Sequence, residues 1–317
     1  MGESKIWDGG DYSVLRWRLV SAAVLITLLS GLLWLDYHQI GVAKPGFWLL
    51  PLASLLIALA SFELIDLYGA QGWTPRRGLT VACTLVTFWA SAIPLLWSEY
   101  PADCPVGRLG WPLLLQIGSL VCILVGEMAR FREPGRTLVH VALSGFSVFY
   151  LGTLGGFLIL LRCWSGNAAG WLALVSMIAI VKMSDTGAYF AGRLCGRHPL
   201  APILSPKKTW EGVFGGVLAS VLAAGLFFHI LWPRLVGEGT GSIASTSPPA
   251  AWRWILYGVL LALAGITGDL AESLLKRDAQ IKDAGRRLPG MGGILDLLDS
   301  LLVAAPVAYF CWCIQLV

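Results

Sequence analysis

Charge is scarce in this chain. Only 13% of its 317 residues are Asp, Glu, Lys or Arg, about half the share of an ordinary soluble domain. That excludes a conventional water-soluble fold, because the polar residues are too few to cover the 56% that are hydrophobic. A cysteine framework is also missing. The seven cysteines are scattered, mostly in apolar blocks, and no CxxC pair has a matching second pair. They read as small apolar fillers, which excludes a zinc ribbon or a disulfide scaffold. There is no GxxxxGK[ST], so a Walker-type nucleotide loop is excluded. No internal repeat and no separate soluble domain are visible. No small-residue cleavage site follows the first apolar block, so that block is expected to be a retained span.

What is present is apolar sequence in long runs. Mean hydropathy is +0.72. A run of about 20 apolar residues crosses a bilayer as a helix. Nine such blocks stand at 19–35, 47–65, 79–98, 111–129, 138–161, 170–191, 213–232, 252–272 and 300–317. Trp97 and Trp111, then Trp232 and Trp252, face each other across loops, as interfacial aromatics do. The expected fold is an all-α polytopic membrane protein of about nine transmembrane helices. Residues 1–169 hold about five N-terminal spans, and 170–317 form a C-terminal region that carries the polar motifs.

Lys and Arg orient the spans. With the N-terminus in the cytoplasm and nine alternating spans, seventeen Lys and Arg fall inside and five outside, with Lys182 within a span. The net charge of +4 therefore reads as a basic cytoplasmic face beside anionic lipid headgroups, not as nucleic-acid binding. The expected location is a bacterial cytoplasmic (inner) membrane.

Two cytoplasmic stretches break the apolar pattern. In the first, VKMSDTGAYFAGRLCGRHPLAPILSPKKTWEG, Lys182 and Asp185 lie three apart on one helix face. A charge in mid-bilayer costs roughly 2.5–3.5 kcal/mol on insertion scales. The pair is either a structural ion pair or a functional one. In SPKKTWEG, Ser205 suits an N-cap and Pro206 a first helical position. Free N–H groups there, beside Lys207, Lys208 and the Thr209 hydroxyl, would bind an anion. The plainer reading is an ordinary cap with lysines reaching lipid phosphates. His198 reads as a solvated loop residue.

The second stretch, SLLKRDAQIKDAGRRLPGMGGILDLLDS, gathers nine charges. Residues 269–283 have good helix formers and are expected to prolong the eighth span, with Gly285 allowing the helix to stop. Asp269, Glu272, Ser273 and Lys276 then line one face. Asp296 and Asp299 open the ninth span, where acids also suit a helix N-terminus. Carboxylates held with lysines where spans meet water suit a metal–phosphate site, because Mg2+ takes a few carboxylates plus substrate phosphates.

Here the chain resembles the phosphatidate cytidylyltransferase (CDP-diacylglycerol synthase) family. That signature runs S-x-x-K-R-x4-K-D-x-G, then L-P-x-H-G-G-x-x-D-R-x-D. It is matched by Ser273, Lys276, Arg277, Lys282, Asp283, Gly285, Leu288, Pro289, Gly292, Gly293, Asp296 and Asp299. Met291 stands where the family has His, and Leu297 where it has Arg. The resemblance implies transfer of a cytidylyl group from CTP to phosphatidate with release of pyrophosphate, at the cytoplasmic ends of the C-terminal spans. It implies Mg2+ on Asp269, Asp296 and Asp299, with Asp185 and Asp283 as further partners and a second cation left open. Lys207, Lys208, Lys276, Arg277 and Lys282 would bind triphosphate or lipid phosphate, beside Ser205, Thr209, Ser273, Gly292 and Gly293. A homodimer is left open. The alternatives are a CTP-dependent membrane lipid kinase, a transporter using Lys182 and Asp185, and an inactive homologue. The D-x2-D-G-x2-A-R pattern of CDP-alcohol phosphatidyltransferases is absent.

Overall fold

Long apolar runs with few breakers leave the backbone one way to satisfy its own hydrogen bonds in lipid, which is to coil. The computed structural model describes residues 10–41, 44–97, 100–101, 103–236, 249–281 and 292–317, without the side chains of 10–19 and 235–236. Helix dominates throughout. The first spans are α1 (Gly10–Tyr37), α2 (Leu50–Ala70), α3 (Arg77–Ala90), α4 (Ile93–Leu96) and α5 (Gly107–Arg130). Then α6 (Thr137–Ser147) passes through a wider turn at Val148–Thr153 into α7 (Leu154–Arg162), and α8 (Gly166–Cys195) follows. A two-stranded hairpin, β1 (Pro199–Ala201) and β2 (Ser205–Thr209), leads into α9 (Trp210–Leu226) and α10 (Trp232–Val236). The chain closes with α11 (Ala251–Asp278) and α12 (Leu295–Cys313).

Eight helical segments among the described residues are long and apolar enough to cross a membrane. The protein is an integral membrane protein of the all-α polytopic class. The third expected span, 79–98, is the exception. It folds as α3, whose 14 residues reach only about 21 Å, followed by α4 after a turn at Ser91–Ala92. Pro94 in the first turn of α4 lacks the N–H that would carry the helix across the break. Leu218, Leu222 and Leu226 on α9 are exposed at one helical face, an apolar surface suited to lipid.

Two further expectations are corrected. Ser205 does not cap a helix and Pro206 does not begin one. Both lie in β2, whose register pairs Ala201 with Ser205 and Pro199 with Thr209. Helix α9 starts later, at Trp210, and its cap is Thr209, whose hydroxyl accepts from Gly212 N at 3.1 Å. Helix α11 ends at Asp278 rather than near 283, and Gln280 takes a left-handed φ of 57°. Gly285, Leu288 and Pro289 lie outside the described residues.

Two apolar cores organise the bundle. One joins α7, α8, α9, α11 and α12 around Leu172, Ile180, Phe228 and Leu261. The other joins α2, α3, α7 and α12 around Ile57, Leu64, Phe88 and Leu151. Helix α12 serves both. Ala304, Ala308 and Trp312 enter the first, and Leu295, Leu298 and Leu302 the second.

A buried ion pair closes one end of the bundle. Asp36, at the end of α1, accepts from Arg162 Nε at 2.5 Å and from Gly46 N at 2.7 Å. Arg162 also donates to the Asn167 backbone carbonyl at 3.0 Å and to its Oδ1 at 2.6 Å. Asn167 Nδ2 returns to Tyr37 O at 2.7 Å. Asp36 and Arg162 are 0% and 1% exposed, so nearly all of their stabilisation comes from this closed set of partners.

Candidate active site

The polar motifs meet at the other end of α8, where the C-terminal part of α11 crosses the first turns of α12. Gly268 sets their distance. A Cβ there would overlap the carbonyl oxygen of Asp299 and press on Ser300 Cα, so only glycine lets the two backbones come this close. The next residue, Asp269, and Glu272 one turn on are thereby carried to Asp299. One oxygen from each of Asp269, Glu272 and Asp299 lies within 4.8 Å of the others. Glu272 and Asp299 are only 1% and 5% exposed.

Around this acidic cluster stand lysines. Lys208 Nζ, from β2, is 2.7 Å from Asp269 Oδ2. Lys276 Nζ is ion-paired with Glu272, one turn back on α11, and lies 2.6 Å from Asp296 Oδ1. Asp296 takes its other bond from Gly293 N at 2.7 Å. Gly292, with φ of 92°, lies so near that a Cβ would come within 2.7 Å of Asp296 Oδ2. Asp299 is held by the N–H and hydroxyl of Ser300, the latter at 2.9 Å. The start of α12 is fixed from a distance: Glu63 of α2 accepts from Leu295 N at 2.9 Å. Thus the N-terminal half of the chain holds the helix that presents Asp296 and Asp299.

Beside the cluster is a cavity of about 440 Å³, within the size range of small-ligand sites. Asp185 and Asp269 stand in its wall with Arg193, Lys207 and Lys208, while Tyr189 and neighbouring aliphatics form an apolar side. Lys207 is exposed and Lys208 half-buried. The hairpin that carries them is pinned at both ends. Glu211 accepts from Arg197 N and His198 N at 3.1 and 3.3 Å, and meets His198 Nδ1 at 2.6 Å. Arg277 Nε donates to Leu204 O, in the hairpin turn, at 3.2 Å.

The expected site residues thus divide. Asp269, Asp299, Lys208 and Lys276 come together, with Asp185 in the same cavity wall. Thr209 caps α9 and also lines the cavity, its methyl and hydroxyl packed against Gly196. Arg277 is engaged with the hairpin turn. Ser273 is half-buried on α11, and Ser205 is in β2. Lys282 and Asp283 lie outside the described residues. Asp296 turns its carboxylate to Lys276 and Gly293 N, while Glu272 occupies the cluster. Glu272 is the residue the sequence named without assigning a role. Its signal was present, since it stands three residues after Asp269 on the same α11 face. Glu63 carried no such signal, because its partner is 232 residues away.

These carboxylates fit a hard divalent cation. Glu272 Oε1 is buried and has no hydrogen-bond partner among the described residues, an arrangement costly for a carboxylate unless a cation faces it. An all-oxygen donor set suits Mg2+.

The chain is similar to known proteins along most of its length. The model of the Cytidylyltransferase family matches residues 16–314. "Phosphatidate cytidylyltransferase 5, chloroplastic" of Arabidopsis thaliana is 33% identical over 300 residues, covering 85% of this chain and 67% of that protein. A phosphatidate cytidylyltransferase of Brucella suis is 32% identical over 299 residues, 94% of this chain and 93% of that one. One from Synechocystis is 28% identical over 319 residues, 92% of this chain and 94% of that one.

Proposed function

The chain belongs to the cytidylyltransferase family and is a membrane nucleotidyltransferase of the phosphatidate cytidylyltransferase kind, and we propose that the cluster at the α11–α12 crossing is where it works. The reaction joins CTP and phosphatidate to give CDP-diacylglycerol and pyrophosphate. The observation that carries this reading is the placement of three carboxylates, within 4.8 Å of one another, at the edge of a cavity walled by lysines on one side and apolar residues on the other.

Both substrates are polyanions and repel each other, so the chemistry is mainly a matter of holding them together. Lys207, Lys208 and Arg193 in the cavity wall bind phosphate oxygens. The apolar side of the cavity, with Tyr189, takes the start of the lipid. Asp269, Glu272 and Asp299 would hold Mg2+, with Asp296 adjacent through Lys276. When bound, Mg2+ supplies positive charge that screens the phosphates and polarises the one under attack. Lys276, kept in place by Glu272 and Asp296, adds a cation at the same edge. A lipid phosphate oxygen attacks the α-phosphorus of CTP, the bond to the β-phosphate oxygen breaks, and pyrophosphate leaves. The phosphate nucleophile is already ionised near neutral pH, so no side chain has to remove a proton. The excess of Lys and Arg on the segments next to these motifs supports a site facing the cytoplasm, in a bacterial inner membrane.

Labelled CTP tests the reading. The purified protein with phosphatidate vesicles and Mg2+ is expected to retain the α-label in lipid and release the γ-label as pyrophosphate. Retention of the γ-label would instead identify a lipid kinase, and retention of neither would refute transfer altogether.

A further inference from the structure

We propose that Lys182 is a positioning residue of this site, a cation on α8 that ties Asp185 to the first turn of α12 and offsets one of the clustered negative charges. The proposal rests on the function above. A lysine inside the apolar segment Gly166–Cys195 is costly, so it needs a reason to be there. Its ammonium lies 3.3 Å from Asp185 Oδ2 and 3.4 Å from the backbone carbonyl of Leu297. One group therefore links a wall of the cavity to the helix that presents Asp296 and Asp299. Lys182 is not itself part of the cavity wall, so its effect on substrate passes through Asp185 and α12.

Asp185 on α8 is the direct partner of Lys182, whose charge also acts on Asp299 of α12. The charges that act on Asp299 include those of Asp269 and Lys182. Among the described residues, the carboxylates of Asp185, Asp269, Glu272, Asp296 and Asp299 are matched by the ammoniums of Lys182, Lys208 and Lys276. Within this set the excess is two negative charges, with Arg193 and Lys207 of the cavity wall left to face the substrate. Without Lys182 it would be three. The backbone that Lys182 reaches belongs to Leu297, the position that brings no charge where the matched signature has arginine. The cation at this place comes from α8 rather than from α12.

The test combines turnover with direct metal binding. Detergent-purified Lys182→Met, Lys182→Arg and Lys182→Met/Leu297→Arg are compared with the native chain. Mn2+ affinity is read by electron paramagnetic resonance, and cytidylyl transfer with α-labelled CTP. Lys182→Met makes the site one charge more negative, so Mn2+ is expected to bind about threefold to tenfold more tightly while kcat falls by about tenfold or more. Lys182→Arg keeps most of the native kcat, and adding Leu297→Arg to Lys182→Met returns Mn2+ affinity and kcat to within about threefold of native. Should Lys182→Met not fold, Lys182→Gln replaces it. Unchanged Mn2+ affinity and kcat in Lys182→Met would overturn the proposal. So would a loss that neither arginine variant restores, because that pattern marks a packing role. If the native chain transfers no α-label, the proposed function fails, and the Mn2+ measurements still decide the role of Lys182.

Discussion

Two of the buried charge clusters in the bundle follow opposite rules. At one end Asp36 and Arg162 form a closed account: one carboxylate, one guanidinium, and Gly46, Asn167 and Tyr37 taking the remaining donors and acceptors. About 27 Å away along α8, between residues 167 and 185, carboxylates outnumber lysines and Glu272 keeps a buried oxygen with no partner among the described residues. A balanced cluster stabilises a fold. An unbalanced one is tolerated because something from outside completes it. The difference separates structural charge from functional charge without appeal to sequence similarity.

Removing one partner from each cluster should therefore have opposite consequences. The largest effect is expected for Asp36→Ala, which strands a buried guanidinium and should cost about 3–5 kcal/mol of stability. Thermal unfolding in detergent measures it, and the turnover of whatever fraction remains folded should be native. A fully stable Asp36→Ala protein would show that the balance described here does not matter. At the other end, Asp299→Asn or Glu272→Gln should cut kcat by about 10²-fold or more. The unfolding temperature of Asp299→Asn in the absence of Mg2+ should not fall, since it removes a repelling charge and leaves Lys276 paired with Glu272 and Asp296. A large loss of stability in that variant would place Asp299 in the structural class.

Lys208→Ala tests the border between the two classes, because its ammonium serves Asp269 now and a phosphate in the working site. The KM for CTP or lipid is expected to rise by about tenfold, with a smaller rise for the exposed Lys207→Ala. Kinetics unchanged in the double variant would make both lysines headgroup anchors. The smallest effect belongs to Thr209→Ala. Loss of the α9 cap should cost about 1 kcal/mol, and Thr209→Ser should restore most of it. If Thr209→Ala loses turnover while its stability is normal, and Thr209→Ser restores that turnover, the hydroxyl is contributing to the cavity rather than to the cap.

The spans were legible because each is a local property: twenty apolar residues are apolar wherever they fold. The acidic face of α11 was legible for the same reason, since Asp269, Glu272 and Lys276 are spaced by the helix itself. What was not legible depends on contacts made across the bundle. Glu63 reaches Leu295 over 232 residues, and Asp36 reaches Arg162 over 126. No spacing rule records such pairs. The choice of Glu272 over Asp296 beside Asp299 is set by Gly268, which brings the two helices together at that height. The start of α9 was misplaced because Ser205-Pro206 is as good an opening for a helix as for the strand that pairs with 199–201. The expected third span, 79–98, was overcounted because composition cannot see that Pro94 splits a run of otherwise suitable length.

Helix α12 gives Leu295, Leu298 and Leu302 to one core and Ala304, Ala308 and Trp312 to the other, and it follows all the other described helices in the chain. During synthesis neither core is complete until it arrives. The earlier spans must wait in the membrane with their mating surfaces open, within reach of quality-control proteases. A ribosome stalled before residue 295 is expected to leave a chain that is degraded rather than stored, and pulse-chase labelling of such a truncation would show it. The same order brings Asp299, the last of the three clustered carboxylates, with the very segment that locks the bundle.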